Sequence, residues 1–316
     1  MTAVPPASPP PRRHRHAPGP IWQPVVPPAP SPIDLHTHTR RSDGVLEPVD
    51  LVRAAASAGV TTLALTDHDT LAGYREVVVA GIPSGMTLIP GVEINALVTR
   101  DLGLWEGELH ILGFGMDPDD EAFDAALAGQ RGQRRVRFER TVNRLRELGF
   151  GIDAQVANVA NDGNDALGRP TIARALIAAG HATTVEDAFR RLLGHGCPAY
   201  VQRLGLGPME AIATIRAAGG LPALAHFSEA AERTDVVREL VDAGLEGLEV
   251  YYRSFDAATV EAVGLVAADL GLTPTGGSDY HGDTGTYAAA HAGLWVPPAV
   301  AEGLIARLDA PPSVAG

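Results

Sequence analysis

From Ile33 onward, short apolar runs alternate with helix-like segments, and this rhythm limits the possible folds more than any other feature. The runs Thr62 to Thr66, Thr87 to Ile94, Leu109 to Phe114, Leu221 to Ala225, Gly247 to Val250 and Leu272 to Thr275 have the length and apolarity of buried strands. Between them, Pro48 to Ala58, Met209 to Ala218, Asp235 to Ala243 and Ala257 to Leu270 carry Ala, Leu and Val at helical spacing. These segments stop near Gly59, Gly219, Gly244 and Gly271, as helix C-termini do. Such alternation predicts an α/β fold, and six or seven strand–helix units leave a barrel or a doubly wound sheet.

The rhythm breaks between Asp117 and Gly207. Strand-like runs vanish there, and Arg131 to Leu148, Arg169 to Ala179 and Val185 to Leu193 read as helices. We therefore expect a barrel built from residues 33–116 and 208–316, with a helical subdomain inserted over 117–207. Residues 1–32 hold twelve of the 25 prolines, a cluster of Arg12, Arg13, His14, Arg15 and His16, and no acidic residue. Proline at that density prevents both the continuous apolar stretch of a secretory signal and an amphipathic transit helix, so the segment reads as a disordered extension.

Composition removes whole classes of chemistry. The 25 basic residues are all arginine, so no lysine is present for a Schiff base or a P-loop. One cysteine, Cys197, excludes an internal disulfide framework, a multi-cysteine zinc site and an iron–sulfur cluster, and it suits a reducing cytoplasm. A net charge of −13 argues against broad binding to duplex nucleic acid, and no apolar run approaches the ~20 residues a membrane helix needs. Phosphorylated substrates stay open if cations reverse the local sign.

Against that background, the polar residues at the ends of the apolar runs stand out. IDLHTHTRRSDG places His36 and His38 at i and i+2, on one side of a strand end, with Asp43 in the turn that follows. TTLALTDHDTLAG sets Asp67, His68 and Asp69 where a strand stops, the edge at which α/β barrels build active sites. PGVEI offers Glu93, ELHILGF His110, LPALAHF His226, and GGSDYHGD both Asp279 and His281. Six of the eleven histidines thus fall at or beside predicted strands, a pattern that isolated surface histidines do not produce.

In order, HxH…SDG, TDHDT, GxE, xHxLG, AHx and GSDxH resemble the PHP (polymerase and histidinol phosphatase) superfamily. The resemblance covers about Ile33 to Val296 and implies a distorted (β/α)7 TIM-like barrel with metal-dependent phosphoesterase activity. Within the superfamily the chain is most similar to the branch acting on 3′,5′-bisphosphonucleotides and short RNA 5′ ends, through GRPTIARAL (Gly168 to Leu176), AYVQR (Ala199 to Arg203) and AGGLPALAHF (Ala218 to Phe227). It departs from that branch at Thr171, where histidine is common, and at Phe227, where proline is.

The resemblance implies three divalent cations. His36, His38, Glu93 and Asp279 would hold one, Asp43, His68 and His226 a second, and Glu93, His110 and His281 a third, with Glu93 bridging. Imidazole and carboxylate donors suit Mn²⁺, Fe²⁺ or Zn²⁺ alike. A metal-activated hydroxide beside Asp43, Glu93 and His226 would then attack the phosphorus, with no protein nucleophile. The same resemblance implies Arg134, Arg137, Arg169 and Arg203 as candidates to clamp a phosphate that is not cleaved, which suits a guanidinium because it matches phosphate with parallel hydrogen bonds. Asp67 and Asp69 are candidates to orient His68. Tyr251, Tyr252 and Arg253 follow a predicted strand and could contact a base or a phosphate, whereas His181, His195 and His291 fit no pattern. The expected partner is a small phosphorylated nucleotide or short single-stranded RNA. Histidinol phosphate on the same barrel, and a noncatalytic metal-binding module, are the rival expectations.

Overall fold

The structure, a computed structural model, describes residues 31–98, 107–157, 168–202, 204–282 and 285–309. Seven strands form one sheet in sequential order: β1 Ile33–Asp34, β2 Thr62–Leu65, β3 Thr87–Val98, β4 Gly107–Phe114, β5 Leu221–Leu224, β6 Gly247–Tyr252 and β7 Thr273–Gly277. The chain returns from β7 to β1, where Leu35 N donates to Gly276 O at 3.1 Å and Asp279 N to His36 O at 2.7 Å, and the sheet becomes a nearly closed barrel. Glycine makes that closure possible, since a Cβ on Gly277 would lie 2.4 Å from His36 N. The fold is the TIM-like α/β barrel expected.

One strand departs from the all-parallel pattern. β4 runs antiparallel to both β3 and β5, with His110 opposite Asn95 and Leu112 opposite Glu93. Opposed residues of an antiparallel pair share a face, so Glu93, Asn95, His110 and Leu112 all lie on one side of the sheet. An apolar run does not encode its direction, and His110 accordingly sits within its strand rather than after it.

Around the barrel pack α1 Pro48–Ser57, α2 Ala72–Ala80, α3 Glu121–Glu147, α4 Asp153–Val156, α5 Arg169–Ala178, α6 Val185–Ala188, α7 Pro208–Ala217, α8 Thr234–Asp242, α9 Ala257–Asp269, α10 Tyr287–His291 and α11 Pro298–Leu308. Proline in the first turn of α1, α5, α7 and α11 presets the helical φ where no backbone donor is required. Asp120 starts the 27-residue α3 by accepting from Phe123 N at 2.9 Å. Between β4 and α7 the described elements are all helical, including a π-turn at Phe189–Leu193. Phe138, Leu145, Ile172, Leu176 and Leu193 form a hydrophobic cluster there, separate from the barrel core of Leu35, Ile94, Ile111, Leu224 and Leu248. No described helix is long and apolar enough to cross a membrane.

The expected tail needs one adjustment. Residues 1–30 lie outside the described residues, but Ser31 is fully buried and donates from Oγ to Val296 O at 3.1 Å, while Pro32 O accepts from Thr61 N at 2.8 Å. Both belong to the barrel, because the carbonyl of the residue before β1 completes the first rung of its pairing with β2.

Candidate metal centre

All nine side chains expected to hold cations converge at one end of the barrel. His36 and His38 leave β1, His68 leaves β2 and bridges to Glu93 of β3, His110 comes from β4, His226 follows β5, and Asp279 and His281 follow β7. Asp43 is brought over by the turn after β1. There Ser42 N and Gly44 N both donate to Thr39 O at 3.0 Å, and a Cβ on Gly44 would lie 2.3 Å from His38 O. Among the described residues, the non-glycine positions with positive φ are Asp69, His226 and Asp279, all beside this cluster. Strained backbone concentrated in this way marks a place where side-chain aim outweighs local comfort.

Donor atoms fall into three groups: His36, His38, Glu93 and Asp279; His38, Asp43, His68 and His281; and Glu93, His110 and His226. The first matches the implied set. In the other two His226 and His281 have exchanged places, because β5 lies beside β4 whereas β7 lies beside β1. His226 Nε2 is 3.1 Å from His110 Nδ1, and His281 Nε2 is 3.2 Å from Asp43 Oδ1.

The residues fit cations on three counts. His36 Nε2, His38 Nε2 and His68 Nδ1 are buried without hydrogen-bond partners. Yet they stand 3.4, 3.1 and 3.2 Å from Glu93 Oε2, close to the roughly 3.0–3.4 Å that separates donors sharing a cation at about 2.1 Å. Third, the cluster attracts positive charge. Burial works against ionised Asp43 and Glu93, but the surrounding imidazoles hold both well below the usual carboxylate range. Burial also opposes the His281 imidazolium, yet Asp43 and Asp279 push its pKa up to about 10. His68 goes the other way, its charged form disfavoured by burial and by the Arg134 guanidinium.

Two carboxylates expected to orient His68 serve other partners. Asp67 accepts from Thr39 N, Thr39 Oγ1 and Ser42 Oγ, each at 2.7 Å, and so fixes the turn carrying Asp43. Asp69 Oδ2 accepts from Arg134 Nε at 2.6 Å. Sequence reasoning missed Glu249, which is fully buried: its Oε1 lies 3.0 Å from His36 Nδ1 and its Oε2 accepts from His226 N at 2.7 Å. It missed Asp34 too, which accepts from Ser278 N and Tyr287 Oη, each at 2.8 Å, and packs against the buried His291. The signals were present. Asp34, His36 and His38 alternate along β1 and the segment that continues it, and Glu249 is a lone carboxylate in the apolar β6. Of the two tyrosines, Tyr252 reaches the centre, its Oη donating to Asp279 Oδ2 at 3.0 Å, while Tyr251 is buried in the core. A bulge in β6 between Glu249 and Tyr251 reverses the alternation at that point.

A cleft of about 210 Å³ opens over the centre. It is lined by Asp43, His68, Glu93 and His226, here called its floor, and by Arg134 and Arg137 of α3 with Arg169 of α5, here called its wall. Arg137 Nε donates to Val201 O at 2.9 Å, and the Arg169 guanidinium lies over the Phe189 ring at 5.5 Å. Arg203 lies outside the described residues.

Comparison with known proteins follows the same lines. A family model described as PHP domain matches residues 34–169. The chain is 38% identical over 194 residues to a 5′-3′ exoribonuclease of Haemophilus influenzae, covering 61% of this chain and 68% of that protein. It is 32% identical over 266 residues to a 3′,5′-nucleoside bisphosphate phosphatase of Chromobacterium violaceum, covering 79% and 87%. A crystal structure from Bifidobacterium adolescentis, assigned as a metal-dependent phosphoesterase, superposes with a TM-score of 0.74 at 31% identity, covering 87% of this chain and 95% of the other.

Proposed function

This chain belongs to the PHP family of metal-dependent phosphoesterases, and we propose that it hydrolyses a phosphate monoester of a 3′,5′-bisphosphonucleotide or trims the 5′ ends of short RNA. The reading rests on the cleft, whose lining joins the imidazoles and carboxylates of the floor to three guanidinium groups of the wall. A substrate with one phosphate needs only the floor. A second phosphate gives the wall a purpose.

His36, His38, Asp43, His68, Glu93, His110, His226, Asp279 and His281 would hold three divalent cations of the Mn²⁺, Fe²⁺ or Zn²⁺ kind, with Glu93 shared between two donor groups. Bound there, such ions neutralise charge on phosphoryl oxygens and lower the pKa of water. Glu249 keeps His36 and the backbone of His226 in place, and Tyr252 does the same for Asp279. Arg137 and Arg169, with Arg203 beyond the described residues, would orient the second phosphate. Arg134 joins them only when it leaves Asp69 and Asn95. Half-buried Cys197, with no second thiol in the chain, is consistent with a cytoplasmic protein.

Steady-state kinetics on a 3′,5′-bisphosphonucleotide, a nucleoside monophosphate and histidinol phosphate test the reading. The bisphosphate should have the highest kcat/KM. Equal or better turnover of histidinol phosphate would overturn the substrate class and leave the centre intact.

A further inference from the structure

Arg137 and Arg169 each lie over an aromatic ring. The guanidinium carbon of Arg169 is 5.5 Å from the centre of the Phe189 ring, and that of Arg137 is 5.9 Å from the centre of the Tyr200 ring. Arg137 also donates from Nε to Val201 O at 2.9 Å, so adjacent residues of the AYVQR segment give it both a ring and a carbonyl. Phe189 and Tyr200 come from different segments, yet one unit presents both.

Phe189 opens the π-turn Phe189–Leu193, which Gly194 closes by donating from N to Phe189 O at 2.7 Å. Glycine is required there, because a Cβ on Gly194 would lie 2.7 Å from that same oxygen. A π-turn spends an extra residue and so re-aims the side chains on either side of it, which is why such turns concentrate at functional sites. Here Leu192 and Leu193 are buried in a hydrophobic cluster, whereas Phe189 lines the cleft. The chain then returns against the turn: Ala199 N donates to Leu192 O and Tyr200 N to Cys197 O, both at 3.0 Å, and Ala199 is fully buried. The His195 ring meets Tyr200 edge to face at 5.1 Å.

A ring face suits an arginine that must bind something else. Guanidinium is planar and weakly hydrated, so the face of a ring attracts it while its N–H donors, which lie in its own plane, stay directed outward. A carboxylate holds arginine differently, by taking donors and cancelling charge, as Asp187 does for Arg190 and Arg191 at 3.0 and 2.9 Å. By restraining the guanidinium plane, a ring also sets the direction in which two parallel hydrogen bonds can reach a phosphate.

We propose that Phe189 and Tyr200 are positioning residues that set Arg169 and Arg137 for the phosphate that is not cleaved. The π-turn and the loop returning from it thereby form a specificity element for bisphosphorylated substrates. The inference rests on the reading of Arg137 and Arg169 given above. Each ring acts through the arginine above it and not on the metal centre.

Steady-state kinetics of the full-length protein with Mn²⁺ test this. Phe189→Leu and Tyr200→Leu each remove a ring face but keep an apolar side chain. Each should raise KM for a 3′,5′-bisphosphonucleotide about tenfold, with the change in KM rather than kcat and a far smaller change for a nucleoside monophosphate. Phe189→Tyr and Tyr200→Phe keep the face and should hold KM within about twofold of the native value. A cycle with Arg169→Ala separates the outcomes, because a ring that acts through the guanidinium has nothing left to position once Arg169 is gone. Phe189→Leu should then add no further loss. A further rise in KM in that background would make Phe189 a direct substrate contact and overturn the positioning role, and so would leucine variants with native KM. If Arg137→Ala and Arg169→Ala themselves leave KM for the bisphosphate unchanged, the phosphate-binding reading fails instead. Should Phe189→Leu fail to fold, as loss of monophosphate turnover would show, Tyr200→Leu in an Arg137→Ala background carries the same test.

Discussion

The floor and the wall of the cleft are built by different means. Floor residues sit on or just after strands of one sheet, where backbone pairing such as Asp279 N to His36 O at 2.7 Å fixes their spacing. Wall residues are long arginines from α3 and α5, steadied by a carbonyl, an amide or an aromatic face. A strand end can hold several donors to the few tenths of an ångström that cation binding demands. Arg137 and Arg169 can change without disturbing those strands, whereas Arg134 is tied to Asp69 and to Asn95 of β3. The comparison suggests that the floor determines which bond is broken and the wall determines whose.

The sharpest way to break this division is at Glu93, the floor residue shared by two donor groups. Glu93→Gln should lose bound cations by elemental analysis and lower turnover roughly 10³-fold for every substrate alike. Chelation of the native enzyme should abolish hydrolysis in the same way, and Mn²⁺ should restore it. A Glu93→Gln protein that keeps all its ions would show that the bridge is elsewhere.

A pH series separates the two regions next. His281, pushed from 6.5 up to about 10, stabilises the metal-free fold fully below about pH 6.5, and that contribution is lost as pH rises toward 10. Cations displace the same proton, so their apparent affinity should rise by up to about tenfold per pH unit over this window. Calorimetric titration with Mn²⁺ at pH 7 and 9, in buffers of different ionisation heat, measures both the affinity and the protons released. Phosphate binding by the wall should show no such dependence, because guanidinium groups stay charged throughout.

The floor was also far more legible in the sequence than the wall. Short apolar runs that lead into His, Asp or Glu identify the strands and their ends, and all nine expected donors do meet. Their grouping was not legible, since it depends on β4 running antiparallel and on β7 closing against β1, facts that no single segment contains. Glu249 went unnoticed because a carboxylate in an apolar strand looks like an exposed edge position until the sheet closes around it. On the wall, helical spacing alone could not distinguish Arg134, committed to Asp69 and Asn95, from the exposed Arg140 six residues on.

Arg169 tests the wall directly. Arg169→Ala should raise KM for a bisphosphate at a cost of roughly 1.5–3 kcal/mol, about 10- to 100-fold in kcat/KM. Cation content should not change, and turnover of a nucleoside monophosphate should fall far less. Equal losses on both substrates would mean that Arg169 serves the floor, and the division would fail.

The smallest effect is expected from residues 1–30, and it sharpens the comparison by asking whether the wall has a contributor beyond α3 and α5. Arg12, Arg13 and Arg15 give this segment a positive charge that could attract phosphate, but its prolines leave no apolar periodicity to bury. A truncation must spare Ser31, whose hydroxyl joins β1 to Val296. Cut before Ser31, the protein should melt within about 1 °C of the full chain, since a segment that buries little apolar surface contributes little stability. Its kcat/KM for a bisphosphate at low and at moderate salt should stay within about twofold, because exposed charges act only over a Debye length of about 10 Å in 0.1 M salt. A larger loss confined to low salt would make the tail an electrostatic extension of the wall. A loss of melting temperature would place it against the barrel itself.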